Sequence, residues 1–364
     1  MYDVAIIGAG INGCAIAYEF STTNKRIAIF DKEGIASGGS GAAGAFISPK
    51  FSKAGELKEL LSDAFIYSMK YYEKHFGHIF TKAPLLHLAK DEEDAQTLRS
   101  FKQNTTLKLL EVPGETREYV SIDAGIVDAK RVCEAMAKSA EFIQEEVVTL
   151  TFLDGYWLIN EEYTVKEIVL ATGAYRPIIR EPYIQLRGIW GHRIDIQTTT
   201  QNSLSIHQFV SIAPSKDGVI AIGATHNVHY HPQTTKEPYD VTAGRRELLE
   251  KAAKTLKLEE VEVIKDYTGL RSGSFDYIPM IGPVVMAEET LRNSEINLTR
   301  KAQDYLEYSY YPGLYMINGS GGYGFVFAPY LAKALAEYIV SGKEINREVL
   351  PARFFARWAR KVNS

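Results

Sequence analysis

At 364 residues, with 46% hydrophobic side chains and two cysteines, Cys14 and Cys133, the chain can bury a large core and is too poor in thiols to be a disulfide scaffold. Its formal net charge of -4 excludes a global field that draws in nucleic acid or anionic membrane, so any such contact must come from local charge. No stretch approaches the ~20 apolar residues of a membrane span, and the apolar run from Val4 to Gly13 lacks the basic leader of a signal peptide, so a cytoplasmic protein of about two domains is expected.

The chain opens on an apolar strand, Tyr2 to Ile7, followed by Gly8-Ala9-Gly10-Ile11-Asn12-Gly13 and a helical stretch from Cys14 to Phe20. A second strand, Arg26 to Phe30, ends on Asp31. Gly8 permits a tight turn, Gly10 lets the backbone approach a pyrophosphate, and Gly13 lets the helix pack on the strand. Asp31, 18 residues after Gly13, can accept hydrogen bonds from a ribose diol. A dinucleotide is therefore expected. The small residues Ser37 to Gly44 suit backbone N–H groups placed close to phosphates and a flat ring, where an NAD enzyme would more often proceed to another strand and helix.

Leu57 to Phe76 has helical spacing, with Leu60, Leu61, Ala64, Phe65, Ser68, Met69 and Tyr72 on one face. Ala83–Ala89 and Glu118–Val127 read as strands, and Asp128–Ala140 as a helix capped by Asp128. Val165 to Ala174 reads as a buried strand ending in Ala171-Thr172-Gly173, which any parallel strand can do but which resembles the second signature of FAD-binding flavoproteins, where the chain returns to the nucleotide domain; paired with the N-terminal fingerprint this resemblance points to FAD. Arg187–Ile196 and Phe209–Thr225 are strand-rich, with a turn at Ser215-Lys216-Asp217-Gly218, and Thr242–Lys257 and Tyr330–Val340 read as helices. The expected fold class is α/β: a Rossmann-like FAD-binding domain of the glutathione-reductase type, residues 1–76, 128–182 and 266–364. Interleaved with it is an α+β substrate domain on an antiparallel sheet, residues 77–127 and 183–265.

Two segments carry candidate chemistry. In Thr268-Gly269-Leu270-Arg271-Ser272-Gly273, a cation among small residues can present its planar guanidinium to a carboxylate, or it can form a salt bridge with Asp276 or Asp266. Gly313 to Gly324 reads as strand, glycine loop and helix, whose N–H groups can stabilise charge on a reduced flavin or simply make a turn. Among His226, His229 and His231 no further ligand completes a first shell, so no metal is expected and a place at the substrate entrance is preferred. The tyrosines of Tyr305–Tyr311 can stack on bases or pack.

With these motifs in order, the chain resembles the D-amino-acid oxidase superfamily of FAD enzymes, which includes glycine oxidase, sarcosine oxidase and the D-amino-acid dehydrogenases. The resemblance runs through GAGING with Asp31, SGGSGAAG, LATGAY, IAIGAT, GLRSGSFDYIPMIG and GSGGYGFVFAP. It implies a cofactor site of Gly8, Gly10, Gly13, Asp31, Lys32, Ser40, Gly41, Ala43, Gly44, Thr172, Gly173, Gly321, Gly322 and Gly324, with Arg271 holding a substrate carboxylate and Tyr323 at the flavin edge. A narrower similarity, to the tRNA carboxymethylaminomethyluridine oxidoreductases, rests on Ser40–Lys53, on Asp123-Ala124-Gly125-Ile126-Val127, on the Met286–Pro312 insert and on a basic tail, Ala352–Lys361. Tyr323 stands where an Arg is expected in those bifunctional enzymes, and their methyltransferase part has no counterpart in these residues. The resemblance implies oxidation of a small carboxylate-bearing amine or of a modified tRNA wobble uridine, with the tail either touching tRNA or packed on its own protein. The alternatives are a free amino-acid enzyme of the glycine oxidase or D-amino-acid dehydrogenase kind, or a flavin-binding subunit without chemistry of its own.

Overall fold

The computed structural model describes residues 1–52, 55–292 and 305–362; Lys53 and the 293–304 part of the Met286–Pro312 insert lie outside the described residues. Among the described residues the strands form sheets of eight, seven and three. Tyr2–Ile7 is the centre of the first, flanked in parallel by Ile27–Phe30 and Tyr163–Leu170, which are extended by Glu141–Ile143 and Tyr310–Asn318. Met280–Val285 runs antiparallel along one edge. Both faces are covered, which is why these strands read as continuous apolar runs. Val4, Ile6, Ile27 and Ile29 enter a core with the helices Ile11–Phe20, Glu56–Phe76, Ala129–Ala137 and Gly324–Ser341. Tyr2, Ala5, Ile7, Ala28 and Phe30 enter a second core with the C-terminal helix Ala352–Val362.

Local chemistry sets the ends of these helices. Asp128 caps the helix Ala129–Ala137 by accepting from the Arg131 N–H, as its position before an apolar run predicts. Pro329 has no N–H to give the Phe325 carbonyl, and the buried Tyr72 hydroxyl donates to that oxygen instead, at 2.8 Å. Ser68 does the same for Val326 at 2.7 Å, so the long helix Glu56–Phe76 fixes where the Gly324 helix begins. The helix Glu92–Asn104, capped by Asp91, goes beyond the sequence expectations.

The seven-stranded sheet is mostly antiparallel, and its two faces differ. Leu86, Leu88, Ile194, Ile196, Ile206, Ile212, Ile220 and Ile222 pack beneath Leu248 and Ala252 of the helix Val241–Ala253. Side chains alternate along a strand, so the register places His87, His207, Ser211, Gly223 and Arg193 in one row on the opposite face. That face roofs a cleft above the first sheet.

One expectation is corrected. Glu118–Val127 is two strands: Tyr119–Ile122 pairs with Leu85–Leu88, whereas Gly125–Val127 joins Phe46–Ile47 and Phe80–Lys82 in the small sheet. The boundary expected at residue 266 falls inside Glu262–Gly273, which pairs along its length with Arg187–Gln197. Of the two readings left open for the basic tail, packing is what its helix does, with Phe355 against Tyr183 and Tyr308. Its Arg353, 13% exposed, donates to Asp276 at 2.9 and 3.1 Å and to the Ile278 carbonyl at 2.6 Å, which removes it from any set of phosphate contacts. In the tyrosine segment, Tyr308 packs on Tyr305 and Phe355, and Tyr311 donates to Glu181 at 2.8 Å. Among the described residues no helix is long and apolar enough to cross a membrane.

Candidate functional site

A cleft of about 1050 Å³ runs from the carboxyl ends of the parallel strands to the polar face of the antiparallel sheet, the place where open α/β sheets bind their ligands. Its volume is at the upper end of the ~300–1,000 Å³ common for ligand sites. At one end lie Asp31, Lys32 and Val147; Gly10, Ser40, Ala43, Gly44, Thr172 and Gly173 follow; Arg271, Gly321, Gly322, Tyr323 and Gly324 line it further on.

The N-terminal turn is built from backbone. Gly8, at φ +107°, has no room for a Cβ against the Ala171 carbonyl, and Gly13 has none against the Gly8 carbonyl. Gly13 and Gly41 do not line the cleft; each lets two backbone segments touch, Gly41 against Ala36. Ile11 N–H at the helix start donates to Ser40 Oγ at 2.9 Å, which leaves the next N–H groups at that positive helix end. Asp31 is aimed by the N–H groups of Ala9, Glu33 and Gly34, at 2.9, 3.0 and 3.1 Å, and its carboxylate retains acceptor capacity for a ribose diol. Gly321 and Gly322 face open space, since a Cβ on either would meet nothing within 4 Å. This bare cradle, with an acid at one end and two helix N-termini along it, fits FAD.

The glycine loop has a second function. A Cβ on Gly39 would lie 2.5 Å from the Leu270 carbonyl, and one on Gly269 would lie 2.8 Å from Gly39 Cα. The cofactor loop and the Arg271 strand therefore meet backbone to backbone, bringing Arg271 to the same cleft. Asn318, 2% exposed, locks the junction: it accepts from Ser272 Oγ and Gly319 N–H, both at 2.8 Å, and donates to the Gly173 carbonyl at 2.9 Å.

Arg271 is half-buried, and among the described residues it has no carboxylate partner. Both acids considered for it are engaged elsewhere. Asp276 is held by Arg353, and Asp266 by Arg245 and by His192 Nε2 at 2.9 Å. One Arg271 nitrogen donates to the Thr225 carbonyl at 3.1 Å, leaving its other donors unassigned. Burial lowers its pKa, which for a guanidinium still leaves the charge in place. The guanidinium fits because Gly191 on the neighbouring strand has no side chain: a Cβ there would lie 2.6 to 2.7 Å from three guanidinium atoms. Burial pushes the Tyr323 phenol to about 12, so it stays an O–H donor at neutral pH. His226 is exposed; burial and then the Arg271 cation lower its pKa. His231 lies within 3.3 Å of the Ala174 carbonyl, and none of the three histidines lines the cleft itself. Among the described residues no three His, Cys, Asp or Glu side chains converge as a metal site.

Sequence reasoning missed Gly191, Asn318 and Arg193, which also lines the cleft and stacks on Tyr267 at 3.8 Å. Gly191 left a signal, a glycine inside a strand, which marks close approach of another group. Asn318 left none beyond its place before the glycine loop.

Residues 3–338 match the model of the family described as FAD dependent oxidoreductase. The chain belongs to that family, and its cofactor is FAD. It is 23% identical over 394 residues to the bifunctional tRNA 5-methylaminomethyl-2-thiouridine biosynthesis protein MnmC of Marinobacter nauticus, covering 99% of this chain and 58% of that protein. The chain spans 56 to 61% of the length of such curated relatives. Among solved structures, it superposes on glycine oxidase from Bacillus cereus with a TM-score of 0.75 at 21% identity, covering 96% of this chain and 97% of the other. L-α-glycerophosphate oxidase from Mycoplasma pneumoniae, solved with FAD bound, gives a TM-score of 0.69 at 17% identity over 93% and 94% of the two chains. The shared fold is the α/β flavoprotein fold expected above.

Proposed function

We propose that this oxidoreductase cleaves a C–N bond of carboxymethylaminomethyluridine in tRNA, releasing glyoxylate. The observation that carries the reading is Arg271: a charged, half-buried guanidinium facing the FAD cleft, with its candidate acids paired elsewhere. The similarity to proteins named for tRNA 5-methylaminomethyl-2-thiouridine biosynthesis, over 99% of the chain, supports the nucleic-acid substrate.

FAD in the cleft supplies a two-electron acceptor. Arg271 would grip the carboxylate through two parallel N–H donors and so would fix the orientation of the neighbouring methylene in the cleft. Tyr323 provides a hydrogen-bond donor that does not titrate near neutrality. Among the described residues no carboxylate pairs with Arg271; with the amine entering unprotonated no strong base is required, and alignment carries most of the rate. In balance, R–NH–CH2–COO⁻ loses two electrons and two protons to give R–N=CH–COO⁻, and water converts this imine to R–NH2 and glyoxylate.

The same clamp suits a free amino acid, a reading favoured by the superposition on glycine oxidase. Anaerobic flavin bleaching separates the two. Rapid bleaching by carboxymethylaminomethyl-modified tRNA is expected; bleaching by glycine or D-amino acids alone refutes the tRNA assignment. A protein that bleaches with none of these and holds its flavin occluded is the binding subunit.

A further inference from the structure

The strand that carries Arg271 ends at Gly273, and the chain then turns through Ser274, Phe275, Asp276 and Tyr277. Side chains alternate along this turn. Asp276 points inward, accepting from Ser274 Oγ and the Ile278 N–H, both at 3.1 Å, and from Arg353 of the C-terminal helix. Burial pushes its carboxyl up, but Arg353 and these donors outweigh that and hold it below the usual carboxylate range. Phe275 and Tyr277 point outward, 48% and 60% exposed. Tyr277 is held at φ +66°, a conformation unfavourable for a bulky residue, between the anchored Asp276 and Ile278.

Two cations complete the patch. The Arg187 guanidinium lies 5.2 Å from the Phe275 ring and 4.6 Å from the Tyr277 ring, and it donates to the Ser274 carbonyl at 2.9 Å. Lys50, which lines the cleft, places its ammonium 5.8 Å from the Tyr277 ring. Gly273 is two residues beyond Arg271, roughly 7 Å along a strand, so a nucleoside inserted as far as Arg271 leaves its chain neighbours beside these rings.

We propose that the Phe275–Tyr277 turn is a stacking platform that, with Arg187 and Lys50, holds single-stranded RNA at the mouth of the cleft. The proposal rests on the tRNA reading above and names the surface that reading requires. Exposed rings offer π faces to any base, and the cations neutralise the phosphates between bases. A preorganised turn also loses little conformational freedom on binding. The basic C-terminal helix then takes part indirectly, because Arg353 holds Asp276 and thereby the two outward rings.

The test uses FAD-loaded protein and a fluorescent, unmodified anticodon stem-loop RNA. Phe275→Ala/Tyr277→Ala is expected to weaken binding by about 30-fold or more, since two stacking faces are removed, whereas Tyr277→Phe stays within about twofold. Lys50→Gln/Arg187→Gln should flatten the salt dependence, by about 0.7 in log–log slope for each phosphate no longer neutralised. Bleaching of the double-alanine variant by a free N-alkylglycine should match wild type, with unchanged melting temperature. If that variant binds RNA like wild type while wild type bleaches with modified tRNA, the platform is wrong and the tRNA reading stands. Wild type that binds no RNA and bleaches only with free amino acids overturns both. RNA affinity unchanged but flavin reoxidation by a quinone slowed assigns the patch to an electron acceptor and also overturns the platform.

Discussion

Gly191→Ala probes the proposed carboxylate clamp without touching Arg271 itself. The added methyl would sit 2.6 Å from the nearest guanidinium nitrogen, against an ordinary contact of at least 3.4 Å, so the guanidinium must retreat by the difference, 0.8 Å. It can do so because it is the far end of a flexible side chain, and Gly191 has no positive φ to penalise alanine, so the fold should tolerate the change. A reacting centre displaced by about 1 Å can lose on the order of 100-fold in rate. The expected loss in kcat/KM for a carboxylate-bearing amine is therefore about 10- to 100-fold, or ~1.4 to 2.8 kcal/mol. Stopped-flow flavin reduction with such a substrate, and with the same amine lacking the carboxylate, reads the effect; the second should change little. A folded, FAD-loaded Gly191→Ala enzyme with wild-type kcat/KM for the carboxylate substrate would refute the clamp.

Arg271→Ala should lose about 2 to 4 kcal/mol of transition-state binding with flavin content unchanged, and unaltered turnover would return Arg271 to a structural role. Asn318→Ala strands the Ser272, Gly319 and Gly173 groups that it satisfies, so a stability loss of about 1 to 3 kcal/mol together with weaker flavin retention is expected in thermal melts and absorbance spectra; a loss of stability with flavin binding intact would confine Asn318 to folding. Arg353→Leu removes the main partner of Asp276, a carboxyl whose pKa is depressed in the folded state. That pair's stabilisation is complete above the unfolded value of about 4 and fades as pH falls through the folded one. The variant should therefore melt lower at neutral pH and lose part of the wild type's acid sensitivity, and parallel melting curves against pH would disprove the linkage.

Much of the cofactor half was legible because its signals are local. A strand, a turn needing positive φ at Gly8, a helix start and an acid at a strand end occupy adjacent residues, and each is dictated by backbone sterics or helix polarity rather than by distant partners. Period-two runs such as Val219–Gly223 were legible for the same reason, since one face must be apolar to be buried. Glu118–Val127 misread as one strand because apolar alternation does not say which sheet each half joins; only the neighbours of Leu85–Leu88 and Phe46–Ile47 decide that.

The sequence by itself determined the type of cofactor cradle, the α/β class and a shortlist holding Arg271. Tertiary structure decided which acid meets which base. Asp266 and Asp276 stand five residues to either side of Arg271 in the chain, yet each is taken by a cation brought from elsewhere, Arg245 and Arg353. Like charges are interchangeable to a sequence pattern, and pairing is settled by strand register and helix docking over long separations, 77 residues for Arg353 and Asp276. The same register sets Gly191 beside Arg271, and the same docking gives Arg353 of the basic tail to Asp276.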